Sequence, residues 1–463
     1  MFGQKIKRIH FVGIGGVGMS GIAELLKNMG FEISGSDIRE SYYTQRLEKI
    51  GCRIKFFHSE ENVKDADVVV YSSAINMENP EIKAAKKMGI PVIKRAEMLA
   101  ELMRMKFSIL ISGSHGKTTT TSMCAILLHL AGLDPTVVIG GRLDILGGNA
   151  KLGEGNYLVA EADESDGSFL KLFPTIAIIT NVDREHISFY GSFENLLNSF
   201  VEFANRVPFY GSVILCDESE ELRRIKNRIE RRKITYGFSD ESDFYAYDLK
   251  SSGYGYTFKV GSRYGFIGEY STKVPGRHNV LNSLAVVSLA YEMGIDVEVV
   301  KKSMEIFSGV DRRFQVKGTK NGVVVIDDYA HHPTEIRTTF EAISGMSPSR
   351  VIAIFQPHRY SRVKELFEEF VESFDYPDIL FCTEIYSAGE SVIEGISGRV
   401  LFEAIEKRRD KKETFFEVDF SKLVNRVIEI LKPGDLLVTL GAGNIYQVGD
   451  GVLKKLEKKK EFK

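Results

Sequence analysis

Ile109-Leu110-Ile111-Ser112-Gly113-Ser114-His115-Gly116-Lys117-Thr118-Thr119-Thr120 is the stretch on which the reading of this chain turns. An apolar, β-branched run enters a glycine loop carrying Lys-Thr, and a helix-like run from Ser122 to Leu130 follows. Strand, glycine loop and helix in that order are the setting of a phosphate-binding loop. The glycines let backbone N–H groups approach oxyanions, Lys117 brings a point charge to terminal phosphates, and Thr118 offers an oxygen to Mg²⁺. The spacing, Gly-x-x-Gly-Lys-Thr, is shorter than the full Gly-x4-Gly-Lys-Thr pattern. The competing reading is a tight strand-to-helix turn with an incidental lysine. The flanking elements favour the phosphate loop, with Gly113, His115, Gly116, Lys117, Thr118 and Thr119 as its contacts.

Toward the N-terminus stands a second glycine loop, Gly13-x-Gly15-x-x-Gly18, with Asp37 nineteen residues beyond Gly18. Taken alone it predicts a dinucleotide site and an NAD-dependent oxidoreductase. Beside an ATP-type loop, another diphosphate is the more economical ligand. Gly15, Gly16, Val17 and Gly18 would face it, with Ser36, Asp37, Ser72 and Ser73 near its nucleoside. Strands around Lys7–Gly13, Phe31–Gly35, Val68–Ser73 and Ile90–Ile93 alternate with helical segments, which predicts an open parallel sheet.

Toward the C-terminus, apolar strands at Tyr157–Ala160, Ile176–Ile179 and Ser212–Leu215 each end in polar residues. In open α/β sheets ligands gather at the carboxyl ends of strands. Glu161 is thus a candidate Mg²⁺ residue, and His186 is either a second one or a capping or core histidine. Residues 243–273, rich in Tyr, Gly and Ser, predict a small antiparallel extension. Asn279 precedes a helix as a cap or as the edge that meets adenine. Arg312-Arg313 sits at a proposed hinge, either as a surface ion pair or as charge against a transferring phosphoryl group. Strands at Val323–Ile326, Arg350–Phe355, Ile379–Cys382 and Asp435–Leu440 build a third unit. Two of them run into Asp327-Asp328-Tyr329-Ala330-His331-His332-Pro333 and Gln356-Pro357-His358-Arg359-Tyr360-Ser361-Arg362, polar clusters suited to a carboxylate-bearing amine.

The bulk numbers are those of an ordinary globular chain of several domains: 463 residues, 43% hydrophobic, 27% charged, net charge −2. They give no reason to expect nucleic acid as a partner. No run reaches the length of a membrane span, and the first residues lack a signal peptide's apolar core, so no membrane anchor is expected. Four scattered cysteines and histidines without zinc-type spacing point to a reduced, cytoplasmic protein without a zinc site. A homo-oligomer is left open.

Together these motifs resemble the ATP-dependent Mur ligases of bacterial cell-wall synthesis. The likeness runs in order through Gly13–Ala23, Ser72–Ile75, Gly113–Thr119, Glu161–Ser168, Thr180–Asp183, Pro275–Asn282, Asp327–Glu335, Phe355–Arg362 and Gly441–Asn444. It implies a three-domain α/β architecture: a Rossmann-like UDP-sugar domain over 1–107, a central P-loop ATPase domain over 108–313 and an α/β amino-acid domain over 314–463. It implies ATP as co-substrate and Mg²⁺, or Mn²⁺ in its place, held by Thr118, Glu161 and His186. Asn279 matches the adenine contact, Arg313 the phosphate-facing arginine, and Asp328 a nucleotide or amine position. Tyr329, His331, His358, Arg359 and Arg362 match the L-alanine pocket. Lys117, Arg313 and His331 are the catalytic candidates. The implied reaction ligates L-alanine to the lactyl carboxylate of UDP-N-acetylmuramate through an acyl phosphate; the runner-up joins a murein tripeptide to the same sugar. The chain departs from the pattern at Ala330, where glycine is expected, and at Ser188, where an acidic residue is common. No lysine lies between His186 and Lys226, so the carbamylated lysine of sister ligases has no counterpart, and Glu194 or Glu202 is the candidate substitute.

Overall fold

The apolar runs of the sequence become parallel strands in a computed structural model that describes residues 6–72, 74–103, 106–143, 148–252, 254–409 and 411–458. Three sheets result, of five, ten and six strands. Two compact units divide the chain. One takes residues up to Leu249 with Phe258–Tyr270 and Leu281–Phe307; the other takes Lys250–Thr257, Ser271–Val280 and Ser308–Lys463. The first two expected domains thus fall mainly in one unit.

The five-stranded sheet runs Arg53–Lys55, Glu32–Ser36, Arg8–Val12, Val68–Tyr71, Val92–Lys94, all parallel. Strand order reverses beside Arg8–Val12, and the register Val12↔Ser36 and Val12↔Tyr71 brings Gly13, Asp37 and Ser72 to one edge. A crevice at such a switch point is where doubly wound sheets take ligands.

The ten-stranded sheet runs Gly265–Thr272, Gly255–Ser262, Phe244–Ser252, Lys233–Gly237, Ser212–Cys216, Ile176–Ile179, Phe107–Ser112, Tyr157–Glu161, Thr136–Leu143, Gly148–Lys151. Its middle strands are apolar on both faces, as parallel strands covered by helices must be; Ile176–Ile179 is buried throughout. The registers Ile179↔Ser112 and Ile111↔Glu161 set the exits of three strands side by side. Strands at Thr136–Leu143 and Gly148–Lys151 are additions that periodicity did not predict.

The six-stranded sheet runs Gln315–Lys320, Val323–Asp328, Asp435–Leu440, Arg350–Phe355, Ile379–Cys382, Thr414–Phe416, with Gln315–Lys320 antiparallel and the rest parallel. Alternate side chains serve two cores. Val351, Ala353 and Phe355 pack on one face with Phe370 and Phe374, while Ile352 and Ile354 pack on the other with Val427 and Val448. The registers Asp328↔Leu440 and Phe355↔Leu440 carry both polar clusters to one edge.

Candidate active site

The phosphate loop connects the Phe107–Ser112 strand to a helix at Lys117–Leu130. Gly113 and Gly116 have φ of 129° and 81°, which L side chains adopt at a cost. A Cβ on Gly116 would lie 2.8 Å from Asn282 Oδ1, which also accepts the Thr120 hydroxyl at 3.1 Å. The neighbouring strand exit braces the loop. His115 N–H donates to Asn181 Oδ1 at 2.8 Å, Asp183 N–H donates to Ser114 Oγ at 2.8 Å, and His115 Nε2 lies 3.1 Å from Asp183 Oδ2. Thr118 and Thr119 occupy the first turn of the helix, whose N-terminal N–H groups suit an anion.

Lys117 is folded back into this loop. Its Nζ donates to Gly113 O at 2.5 Å, to Ser114 O at 3.1 Å and to Glu164 Oε1 at 2.9 Å. Burial works against the ammonium charge, but Glu164 and Asp163 outweigh it and hold the pKa up, at about 12. Burial raises the Glu164 carboxyl to about 7 despite the lysine beside it. Asp163 is held below the ordinary carboxylate range: burial is overcome by Lys117, the Ser165 N–H and Arg95.

The expected metal residues are arranged differently from the sequence reading. Glu161 stands at its strand exit, where Oε1 accepts the Gly140 N–H at 2.6 Å. His186, with φ of 58°, groups instead with Glu164 and Glu185, the three offering ligand atoms within 4.8 Å of one another. Buried Glu185 brings the acid to His186, whereas Ser188 is exposed. Glu194 and Glu202, the candidate substitutes for the missing lysine, are paired with arginines: Glu194 with Arg224 at 2.8 Å and Arg228 at 3.1 Å, and Glu202 with Arg206 at 2.7 Å.

At the first sheet's edge, Gly15 N–H donates to Asp37 Oδ2 at 2.8 Å, and Gly16 caps the Val17–Asn28 helix. Gly18 packs close under Arg95, which reaches to 3.9 Å from Asp163; nothing in the sequence marked this arginine. Ser72 lies at the strand exit, where its N–H donates to Val12 O at 3.2 Å. Ser73 lies outside the described residues. Ser36 differs from expectation. It is fully buried, and its hydroxyl donates to Glu81 Oε2 at 2.5 Å, because Glu81 is a buried carboxylate that must gather donors.

Asn279 sits in the first turn of the Arg277–Glu292 helix, buried, with its amide donating to Pro275 O at 2.6 Å. In the second unit the two arginines separate. Arg312 is committed to the fold through Asp327, Gly441 and Gly443. Arg313 lies over the Tyr329 ring at 5.0 Å and 3.3 Å from Glu335. His331 is fixed by its N–H to Glu335 and by Nδ1 at 2.9 Å from Tyr329 O. His332 is a helix cap, with Nδ1 accepting the Thr334 N–H. Tyr329, His331 and His358 follow ring on ring at 5.3 and 5.7 Å, and His358 stacks flat on Tyr386 at 5.6 Å. Arg362 Nη1 lies 3.3 Å from His358 Nδ1. Burial, then His331, Arg362 and Arg359, pull the His358 pKa down to about 3, so this imidazole is neutral at physiological pH. Arg359 takes φ of 69° and stays exposed. Tyr386 was missed by sequence reasoning, whereas Gln356, within the cluster quoted above, clasps Asn444 from both ends. Ala330 keeps a negative φ, so the methyl in place of glycine causes no backbone strain.

Asp328 is buried and accepts from Thr339 Oγ1 and Ala330 N–H, yet burial raises its pKa to about 6 against Arg313 and these bonds. The folded state then binds a proton that the unfolded chain releases near pH 4. Stability from this group is full below pH 4 and is lost as pH rises to about 6. Thermal midpoints should show wild type falling relative to Asp328→Asn between pH 4 and 6 and running parallel above 7. Parallel curves throughout would show that Asp328 is not protonated in this window.

Three family models match in succession: Mur ligase family, catalytic domain, over 8–107; Mur ligase middle domain, over 111–290; and Mur ligase, glutamate ligase domain, over 312–443. A UDP-N-acetylmuramate–L-alanine ligase of Geobacter sp. (strain M21) is 51% identical over 462 residues, covering 100% of both chains. One from Geobacter sulfurreducens is 52% identical over 464 residues, again covering 100% of both. A crystal structure of a UDP-N-acetylmuramate–alanine ligase from Thermotoga maritima superposes with a TM-score of 0.83 at 30% identity, over 98% of this chain and 100% of that one. A murein peptide ligase from Psychrobacter arcticus shares the fold, with a TM-score of 0.72 at 23% identity, over 98% and 100%.

Proposed function

This chain belongs to the Mur ligase family, and from that premise we propose that it ligates L-alanine to the lactyl carboxylate of UDP-N-acetylmuramate, forming UDP-N-acetylmuramoyl-L-alanine, ADP and phosphate. The observation that carries this reading is full-length identity of about half to L-alanine ligases. The carboxylate attacks the γ-phosphorus of ATP, giving an acyl phosphate and ADP. The neutral amine of L-alanine then attacks the acyl carbon and expels phosphate, its proton passing to a base or to solvent. Both substrates and ATP belong to the cytoplasm, where we place the reaction in peptidoglycan synthesis.

The three sheet edges supply the parts. Gly15, Gly16, Val17 and Gly18 offer backbone and helix N-terminus to the UDP diphosphate, with Asp37 and Ser72 at the same edge. Lys117 and Arg313 are the cations for the transferring phosphoryl group. ATP is the co-substrate with a divalent cation, Mg²⁺ or Mn²⁺; Thr118, Glu161 and His186, with Glu164 and Glu185 beside His186, are the residues that would hold it. Buried acidic oxygens and one imidazole fit such an ion, which would supply positive charge against phosphate oxygens. Tyr329, His331, His358, Arg359 and Arg362 form the amino-acid pocket, where the neutral His358 keeps a ring nitrogen for hydrogen bonding and the arginines meet the carboxylate.

Mass spectrometry of products from ATP, UDP-N-acetylmuramate and either L-alanine or murein tripeptide tests this. L-Alanine addition is expected. Tripeptide addition alone would move the chain to the recycling reaction, and no ligation by folded protein would reject both.

A further inference from the structure

Glu164 is a buried carboxylate that meets the phosphate loop through Lys117. Its side chain is 1% exposed. Oε1 takes the Lys117 ammonium at 2.9 Å, while Oε2 is enclosed without a hydrogen-bond partner. A buried carboxylate oxygen without a donor is costly. The same side chain offers a ligand atom to the group formed with Glu185 and His186, all within 4.8 Å. Lys117 and a cation in that group would therefore share one carboxylate.

We propose that Glu164 is a shared ligand, exchanged between Lys117 and a divalent cation held with Glu185 and His186, so that drawing Lys117 toward a polyphosphate strengthens cation binding. The inference rests on the ATP-dependent reading above. Two positive charges on one enclosed carboxylate repel at short range with little solvent screening. The resting lysine thus weakens the cation, and the cation loosens the lysine. By linkage, a phosphate that binds Lys117 favours the cation by the same factor that the cation favours phosphate. Asp163 stays with Arg95 and the Ser165 N–H when the lysine leaves. Glu161 is not the exchanged group, since its Oε1 holds Gly140.

Mn²⁺ binding to the full-length protein, without nucleotide, tests this by titration calorimetry and the loss of the free-ion paramagnetic resonance signal. Lys117→Met removes the competing charge and keeps the apolar stem; it should bind Mn²⁺ about tenfold tighter than wild type. Glu164→Gln should bind about tenfold weaker, and the double variant should match Glu164→Gln. Circular dichroism confirms the folded state of each. Unchanged or weaker Mn²⁺ binding by Lys117→Met, or wild-type binding by Glu164→Gln, overturns the proposal. Ligation is measured separately on wild type: its absence would reject the enzymatic reading while the Mn²⁺ affinities still judge the exchange.

Discussion

Lys117→Ala is expected to lower kcat for L-alanine ligation by on the order of a thousandfold or more, the scale seen when a cation on a transferring phosphoryl group is removed. The structure gives two reasons, and they can be separated. The first is chemical. Lys117 roots the helix that follows the loop and reaches Gly113 O and Ser114 O, so its ammonium already lies within the loop. Without it, charge developing on the phosphoryl oxygens loses a preorganised partner. The second is structural. Glu164 would remain buried and lose its ion pair with Lys117. Breaking one side of such a pair costs up to about 3–5 kcal/mol, moderated here because burial already raises Glu164 to about 7 and lets it take a proton. Lys117→Ala paired with Glu164→Gln should regain thermal stability and none of the rate. Single-turnover phosphate release alongside thermal melts would show this. A double variant that recovered activity together with stability would mean that Lys117 acts by holding the loop and not on phosphate.

What the sequence carried and what it withheld follow the same physics. Strands at Arg350–Phe355, Ile379–Cys382 and Asp435–Leu440 are legible because both faces are buried, which demands an uninterrupted apolar run. Gln315–Lys320 was not legible: an edge strand with mixed exposure leaves no such run. Lys117 was legible because glycine spacing and lysine are written locally. Glu164 was not, since the string Glu161–Asp166 presents several acids and only the turn decides which one meets the lysine. That turn is closed by Gly167 with φ of 67° and by the Tyr190 hydroxyl on Glu164 O. The brace of Asn181 and Asp183 on the loop depends on the register of two strands far apart in sequence, which no local pattern encodes. Ser36 has the composition of a ligand residue, and its inward turn depends on Glu81, 45 residues away.

Arg312 and Arg313 are adjacent in the chain and alike in chemistry, and the structure gives them opposite expected phenotypes. Arg312 has φ of 62°, which turns its side chain back into the second unit. Nε donates to Asp327 Oδ2 at 3.0 Å, Nη1 to Gly443 O at 3.0 Å and Nη2 to Gly441 O at 2.7 Å. Its guanidinium lies 5.0 Å from the Tyr329 ring and 4.7 Å from the Tyr446 ring. Asp327 is 1% exposed; its other oxygen accepts from Thr439 at 2.6 Å. Arg312→Ala should destabilise the protein by about 3–5 kcal/mol, because it strands a buried carboxylate and frees two carbonyls. Arg312→Lys should rescue little, since a single ammonium cannot reach three acceptors arranged for a planar fork. Arg313 is 33% exposed and 3.3 Å from its carboxylate partner, a pair worth under about 1 kcal/mol. Arg313→Ala should therefore melt close to wild type and lose kcat on the order of a hundredfold or more, as for a lost transition-state cation. Chemical denaturation followed by circular dichroism, paired with steady-state kinetics, separates the two. A stable, slow Arg312→Ala beside a destabilised Arg313→Ala that keeps its kcat while folded would reverse the assignment and make Arg312 the phosphate-facing residue.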